Sequence, residues 1–103
     1  MSFSKIEKIH FVLNPNAGNG ISLEIFQEIE GELKSNNVTY TLFKSQEKND
    51  IFNHVMSDEI PDCDVICAMG GDGTIHETAD GLMQSGKASD LAFSVIPSGT
   101  GNA

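Results

Sequence analysis

The apolar positions of this chain switch repeatedly between near-continuous runs and a helical period. Lys8–Leu13 reads as a strand ending at Asn14-Pro15, because Pro15 has no N–H to give to a ladder. Ile21, Ile25, Phe26, Ile29 and Leu33 then share one face at helical spacing, predicting a helix near Ile21–Lys34 with Glu24, Glu28, Glu30 and Glu32 mostly outside. Asn36-Asn37 reads as a turn. In Val38–Phe43 the residues Val38, Tyr40 and Leu42 alternate with Thr39, Thr41 and Phe43, as in a strand with unlike faces. Asp50 is placed to cap a short helix reaching about Met56. Cys63–Met69 reads as a strand, and its stretch Val65–Met69 is apolar without a break, the pattern of burial on both faces. Thr74-x-x-Glu77 has the form of a capping box, so a helix starts there and runs to about Gln84. Its inner face is expected to be Ile75, Ala79, Leu82 and Met83, and Gly86 closes it. Leu91–Ile96 supplies a fourth strand.

This alternation, βαβαβαβ, predicts an α/β fold of three layers, α/β/α, around a mainly parallel four-stranded sheet. A strand order of 2-1-3-4 would open a crevice between the first and third strands. No internal repeat, low-complexity tract or second domain is evident. The chain stops at Ala103, just after a glycine turn with no helix to cover it, and is expected to be a piece of a longer protein.

Three turns after predicted strands are rich in glycine and small polar residues. They are Asn14-Pro15-Asn16-Ala17-Gly18-Asn19-Gly20, Gly70-Gly71-Asp72-Gly73-Thr74 and Pro97-Ser98-Gly99-Thr100-Gly101-Asn102. Glycine lets backbone N–H groups approach an anion closely, and the helix after Gly73 adds its positive end. In a parallel sheet all three turns would gather at one edge. A carboxylate inside such a cradle, Asp72, makes sense beside a metal ion or a reacting proton, which points to phosphoryl chemistry.

Charge narrows the choice. Fifteen acidic residues face six lysines and no arginine, for a net charge of −9. That balance argues against nucleic acid or an anionic membrane as a direct partner. A bound phosphate must be held by backbone N–H groups, hydroxyls, lysine or a metal, because no guanidinium is present. Cys63 and Cys67 lack metal or redox spacing and read as packed free thiols. No apolar run is long enough to cross a bilayer, and the N-terminus lacks a signal-peptide core, so cytoplasmic residence is expected.

Asp72 is the first candidate for chemistry, holding Mg²⁺ directly or through water, or taking part in proton transfer; an Asp bonding its own turn is the plain alternative. Thr74 can serve as helix cap and as hydroxyl donor, and Glu77 as capping partner or ligand contact. Asn14, Asn16 and Gly18 suit a loop around a nucleotide, and are equally ordinary turn residues. Thr100, and Ser45 just past the second strand, lie at the same expected edge. His10 and His54 have no visible partners and read as structural, and His76 as exposed. Neither a dinucleotide fingerprint nor a GxxxxGK[ST] loop is present.

Asn14-Pro15-Asn16-Ala17-Gly18, Gly70-Gly71-Asp72-Gly73-Thr74 with Glu77, Gly81-Leu82 and Pro97-Ser98-Gly99-Thr100-Gly101-Asn102 together resemble the diacylglycerol kinase catalytic-domain family, which includes bacterial lipid kinases and sphingosine kinases. Ile75-His76-Glu77 and Gly101-Asn102-Ala103 lean toward the sphingosine kinase-like members. The resemblance implies the N-terminal, nucleotide-binding part of an enzyme that transfers the γ-phosphate of ATP, with Mg²⁺, to a lipid hydroxyl. By matching position, Asn14, Pro15, Asn16, Ala17, Gly18, Ser45, Gly71, Asp72, Gly73, Thr74, Ile75, His76, Glu77 and Thr100 would line the ATP site. Ser45 stands where threonine is usual, and Asp80 where asparagine is usual. A C-terminal β-rich domain, absent from this chain, would hold the lipid and touch the membrane surface transiently, so this chain alone is expected to be inactive. Two other readings share parts of the pattern: an NAD kinase-like enzyme, which also carries a GGDGT turn, and a non-catalytic nucleotide-binding module.

Overall fold

In the computed structural model, residues 8–16 and 20–97 are described. The elements alternate as the apolar pattern requires: β1 (Lys8–Leu13), α1 (Ile21–Ser35), β2 (Thr39–Lys44), α2 (Asp50–Met56), β3 (Val65–Gly70), α3 (Asp72–Ser85) and β4 (Ala92–Pro97), with a single 3-10 turn at Lys87–Ser89 before the last strand. The strands form one sheet in the order β2-β1-β3-β4, and every pair is parallel. The expected class and strand order both hold.

Alternation within the strands sends side chains to two separate cores. On one face Phe11, Leu13, Cys67 and Met69 pack against Phe26 and Leu33 of α1, joined by Val38, Tyr40 and Leu42. On the other, Val12, Ile66 and Ala68 meet Ile51 and Val55 of α2 and Leu82 of α3. β3 is buried along its whole length, which explains its unbroken apolar run. Cys63 and Cys67 are buried free thiols, and burial pushes the Cys67 pKa up to about 11.

The helical faces differ in detail from the periodic reading. Ile21 is 44% exposed, and the buried residue of that first turn is Ser22, whose hydroxyl donates to the Asn14 carbonyl at 2.6 Å. Met83 is 73% exposed; the buried face of α3 is Thr74, Thr78, Gly81 and Leu82. Thr78 satisfies its buried hydroxyl by donating to the Thr74 carbonyl one turn back, at 2.8 Å. Gly81 is small because α2 crosses there: a Cβ at this position would lie 2.9 Å from the Val55 side chain. Apolar spacing cannot reveal a helix face built from threonine and glycine.

The ends of α2 are fastened by neighbours. Lys87 donates its ammonium to the Val55 carbonyl at 2.7 Å and to the Ser57 carbonyl, covering the last turn. His54, on the same helix, is joined to β1 by a hydrogen bond to His10 of 2.8 Å between their Nε2 atoms. The expectation that these histidines lack partners is therefore corrected. They sit 44 residues apart in sequence, and only the βαβ crossover brings them together.

Candidate functional site

The carboxyl ends of β1, β2 and β3 open into a cleft of about 380 Å³. Asn14, Asn16, Ser45, Gly73, Thr74 and Glu77 line it, six of the residues expected there from sequence, and Gln46, Glu47, Lys48 and Ile51 complete it. This is the crevice between the first and third strands. Two of the three small-residue turns meet at it. The third, from Ser98 onward and including Thr100, lies outside the described residues, as do Ala17 and Gly18.

The floor is the turn from β3 into α3. A Cβ on Gly70 would lie 2.5 Å from Thr74 Oγ1, so only glycine lets the helix start this close to the strand. The N-cap of α3 is Gly71, which has no side chain to satisfy the first N–H groups. Gly73 and Thr74, in that first turn, face the cleft with their helix-end N–H groups lacking a side-chain cap. Such a helix start favours an anion.

The expected capping box does not form. The helix begins before Thr74, and Glu77 Oε1 instead accepts the backbone N–H of Phe52 at 3.2 Å, tying α3 to the first turn of α2. Thr74 and Ser45 are buried, at 5% and 8% exposure, and neither hydroxyl has a hydrogen-bond partner among the described residues. Ser45 is held by its own N–H, which donates to the Leu13 carbonyl at 2.9 Å.

On the opposite wall, Asn14 Oδ1 accepts the Asn16 N–H at 2.9 Å, a self-closed Asx turn. That turn is pinned by Ser22 on its carbonyl. Asn14 therefore builds the turn with its side-chain oxygen while itself lining the cleft.

The remaining expected residues among those described, Asp72 included, do not line the cleft. Pro15 and Gly71 are half-buried and do not line the cleft. Asp72 is exposed in the first turn of α3, and its carboxylate has no hydrogen bond or ion pair among the described residues. The plain alternative of an Asp bonding its own turn is not what is seen. Ile75 packs into the core beside Leu82. His76 is exposed and faces a different hollow, shared with Phe52, Asn53, Glu77 and Asp80. Asp80 accepts a hydrogen bond from Gln84 at 3.2 Å.

Sequence reading missed the wall formed by Gln46, Glu47 and Lys48. This segment reads as a featureless polar connection, since no glycine or hydroxyl cluster marks it. Its one available signal was charge: with no arginine in the chain, any lysine following a strand at this edge is a candidate for phosphate. Among the described residues, Lys48 is the one cation lining the cleft.

Among the described residues, no three His, Cys, Asp or Glu side chains gather to hold a metal ion. Mg²⁺ needs less, since it commonly binds through one or two carboxylates together with substrate phosphates. Asp72, exposed and unpaired beside the first turn of α3, fits that limited requirement.

A parallel α/β domain with an anion-receptive helix start at its strand ends is the class of protein these features define. The chain belongs to the diacylglycerol kinase catalytic domain family, whose model matches residues 8–103. It is 31% identical over 100 residues to sphingosine kinase 1 of Mus musculus, a match covering 93% of this chain and 26% of that protein. To sphingosine kinase B of Dictyostelium discoideum it is 30% identical over 101 residues, covering 95% of this chain and 13% of the relative. A crystal structure of a diacylglycerol kinase from Bacillus anthracis superposes with a TM-score of 0.73 at 26% identity, covering 95% of this chain and 35% of that one. The chain thus spans about a quarter of the length of sphingosine kinase 1. No helix among the described residues is long and apolar enough to cross a membrane.

Proposed function

We propose that this chain is the ATP-binding part of a lipid kinase, which passes the γ-phosphate of ATP to a lipid hydroxyl. The observation that carries the reading is the convergence of the Asn14–Asn16 turn, Ser45 and the uncapped start of α3 on one cleft. Family membership and the sphingosine kinase relatives support a lipid acceptor over NAD.

The phosphate chain lies across the first turn of α3, accepting from the N–H groups of Gly73 and Thr74 and from the Thr74 hydroxyl. Ser45 adds a second hydroxyl. Lys48 supplies the positive charge that arginine provides in other phosphate sites, acting as a compact point charge rather than a fork. The Asn14 amide donates from the facing wall. Glu77, with one oxygen on the Phe52 N–H, holds the two helices that frame the cleft.

Mg²⁺, when bound with the nucleotide, would supply neutralisation of the phosphate charge. Asp72 is the residue that would hold it, directly or through water. The same position would let Asp72 take part in proton transfer from the acceptor hydroxyl. The acceptor itself is held by a second, β-rich domain, so transfer requires the longer polypeptide. Measuring γ-phosphate transfer from ATP to diacylglycerol, to a sphingoid base and to NAD, with the full polypeptide, tests the reading. Transfer to a lipid is expected, and transfer to NAD alone would overturn it.

A further inference from the structure

The loop from Ser45 to Asn49 forms one wall of the cleft, yet few contacts hold its middle. Its start is fixed by Ser45 N–H on the Leu13 carbonyl, and its end by Ile51, which is 2% exposed in the core. Between them, both backbone N–H groups of Gln46 and Glu47 point at a single atom, Asp50 Oδ2, each at 2.8 Å. Asp50 also donates its own N–H to the Glu47 carbonyl at 3.2 Å, and Asn49 takes a left-handed conformation to let the chain double back.

Asp50 was expected to be the N-cap of α2; it is the first helical residue, with Asn49 as cap, and its carboxylate turns backward into the preceding loop. The carboxylate does not reach the cleft. It faces a neighbouring hollow of about 350 Å³ on the other side of the loop, lined also by Phe43, Lys44 and His54. The two N–H donors hold its carboxyl below the usual carboxylate range, that of Gln46 having the larger effect.

We infer that Asp50 is a positioning residue: from behind the loop it fixes the Gln46–Lys48 wall, so that Lys48 meets the phosphates without Asp50 touching them. The inference rests on the nucleotide reading given above. The physical argument is that one ionised oxygen accepting two N–H groups is a strong, directional anchor. Without it Gln46–Lys48 is held only at its ends. Lys48 matters more than one lysine ordinarily would, because among the described residues no other cation lines the cleft, and the chain has no arginine.

The test is a double-mutant cycle on Mg-ADP affinity, read by calorimetry. Lys48→Ala should weaken binding about tenfold, the order expected for one charge-assisted contact. Asp50→Ala should weaken it by a similar factor. Adding Lys48→Ala to Asp50→Ala should then cost less than about twofold more, because coupled residues are not additive. Asp50→Asn keeps an oxygen that can accept both N–H groups and should stay within about threefold of wild type. If Asp50→Ala does not fold, Asp50→Ser, too short to reach both donors, takes its place in the cycle. A merely structural role would lower the melting temperature and leave the Lys48 effect intact in the double variant. Wild-type binding with fully additive losses, or with no loss on removing the Asp50 carboxylate, would overturn the inference alone. A wild-type protein that binds no Mg-ADP would overturn the nucleotide reading itself, and this inference with it.

Discussion

His10 Nε2 and His54 Nε2 lie 2.8 Å apart, joining the buried middle of β1 to α2 through a bond in which only one partner can carry the proton. His10 Nδ1 reaches Thr41 Oγ1 at 2.7 Å, while His54 Nδ1 is buried with no partner. The arrangement that avoids a buried, unpaired N–H has His54 donating to His10 and His10 donating to Thr41. A further proton on His54 would sit at Nδ1 with nothing to accept it. Phe43 stacks flat on His54, at 3.9 Å between ring centroids, and adds no polar partner.

This pair makes folding sensitive to acid. Burial, and then the neighbouring positive charge of His54, lower the His10 pKa from 6.5 to about 4. Burial also lowers that of His54, with Glu59 opposing and Lys87 adding to the effect. The unfolded chain therefore binds more protons than the folded one as pH falls from 6.5 toward 4. Stability is fully present above that window and is lost through it, by about 3 kcal/mol for His10. Urea unfolding from pH 7 down to pH 4.5 should show the loss, and His10→Val should flatten it. An equally steep acid slope in His10→Val would assign the effect elsewhere.

Gly81 sets the distance between α2 and α3. A methyl group there meets Val55 at 2.9 Å and the Phe52 carbonyl at 3.3 Å. Gly81→Ala gains helix propensity of about 1 kcal/mol and loses more to overpacking, for a net cost of roughly 1–2 kcal/mol. Thermal unfolding reads the outcome. A raised melting temperature would show that the two helices can separate freely.

Lys87 closes α2 from its far end, and its ammonium is the sole side-chain partner of the Val55 and Ser57 carbonyls among the described residues. Lys87→Met keeps the aliphatic stem and removes the charge. It should lower stability by about 1.5–3 kcal/mol, the range for hydrogen bonds to a charged group. Lys87→Arg should restore part of it, and chemical denaturation compares the three proteins.

On the proposed reading, Asp72 separates chemistry from folding. It is exposed and makes no hydrogen bond or ion pair among the described residues, so Asp72→Ala should change stability by no more than about 0.5 kcal/mol. Turnover of the full polypeptide should fall at least about a hundredfold. Steady-state kinetics beside a melting curve reads both; an unchanged kcat would remove Asp72 from the proposed chemistry.

Sequence carried the architecture because β1, β3 and β4 are short, largely apolar runs, β2 alternates clearly, and the turns after β1 and β3 are marked by glycine or proline. Phe26, Leu33, Leu82 and the whole of β3 fall where periodicity puts them. Several of the differences are polar side chains whose burial depends on a hydrogen-bond partner that apolar spacing does not reveal. Thr78 is buried because its hydroxyl has a carbonyl one turn back, Ser22 because Asn14 is near, and His10 because His54 is. Glu77 has the spacing of a local cap but serves a different helix, 25 residues away in sequence. At the site, glycine and hydroxyl residues announced the floor of the cleft. The Gln46–Lys48 wall carries no such chemistry, and only the fold brings it there.

The account depends on one cleft receiving a nucleotide, and amide chemical shifts during a titration with Mg-ADP test that most directly. The expected result is saturable change at Asn16, Ser45, Lys48, Gly73 and Thr74, with α1 unmoved. Shifts gathered on α1 or β4 instead, or no saturable change at the cleft, would contradict it.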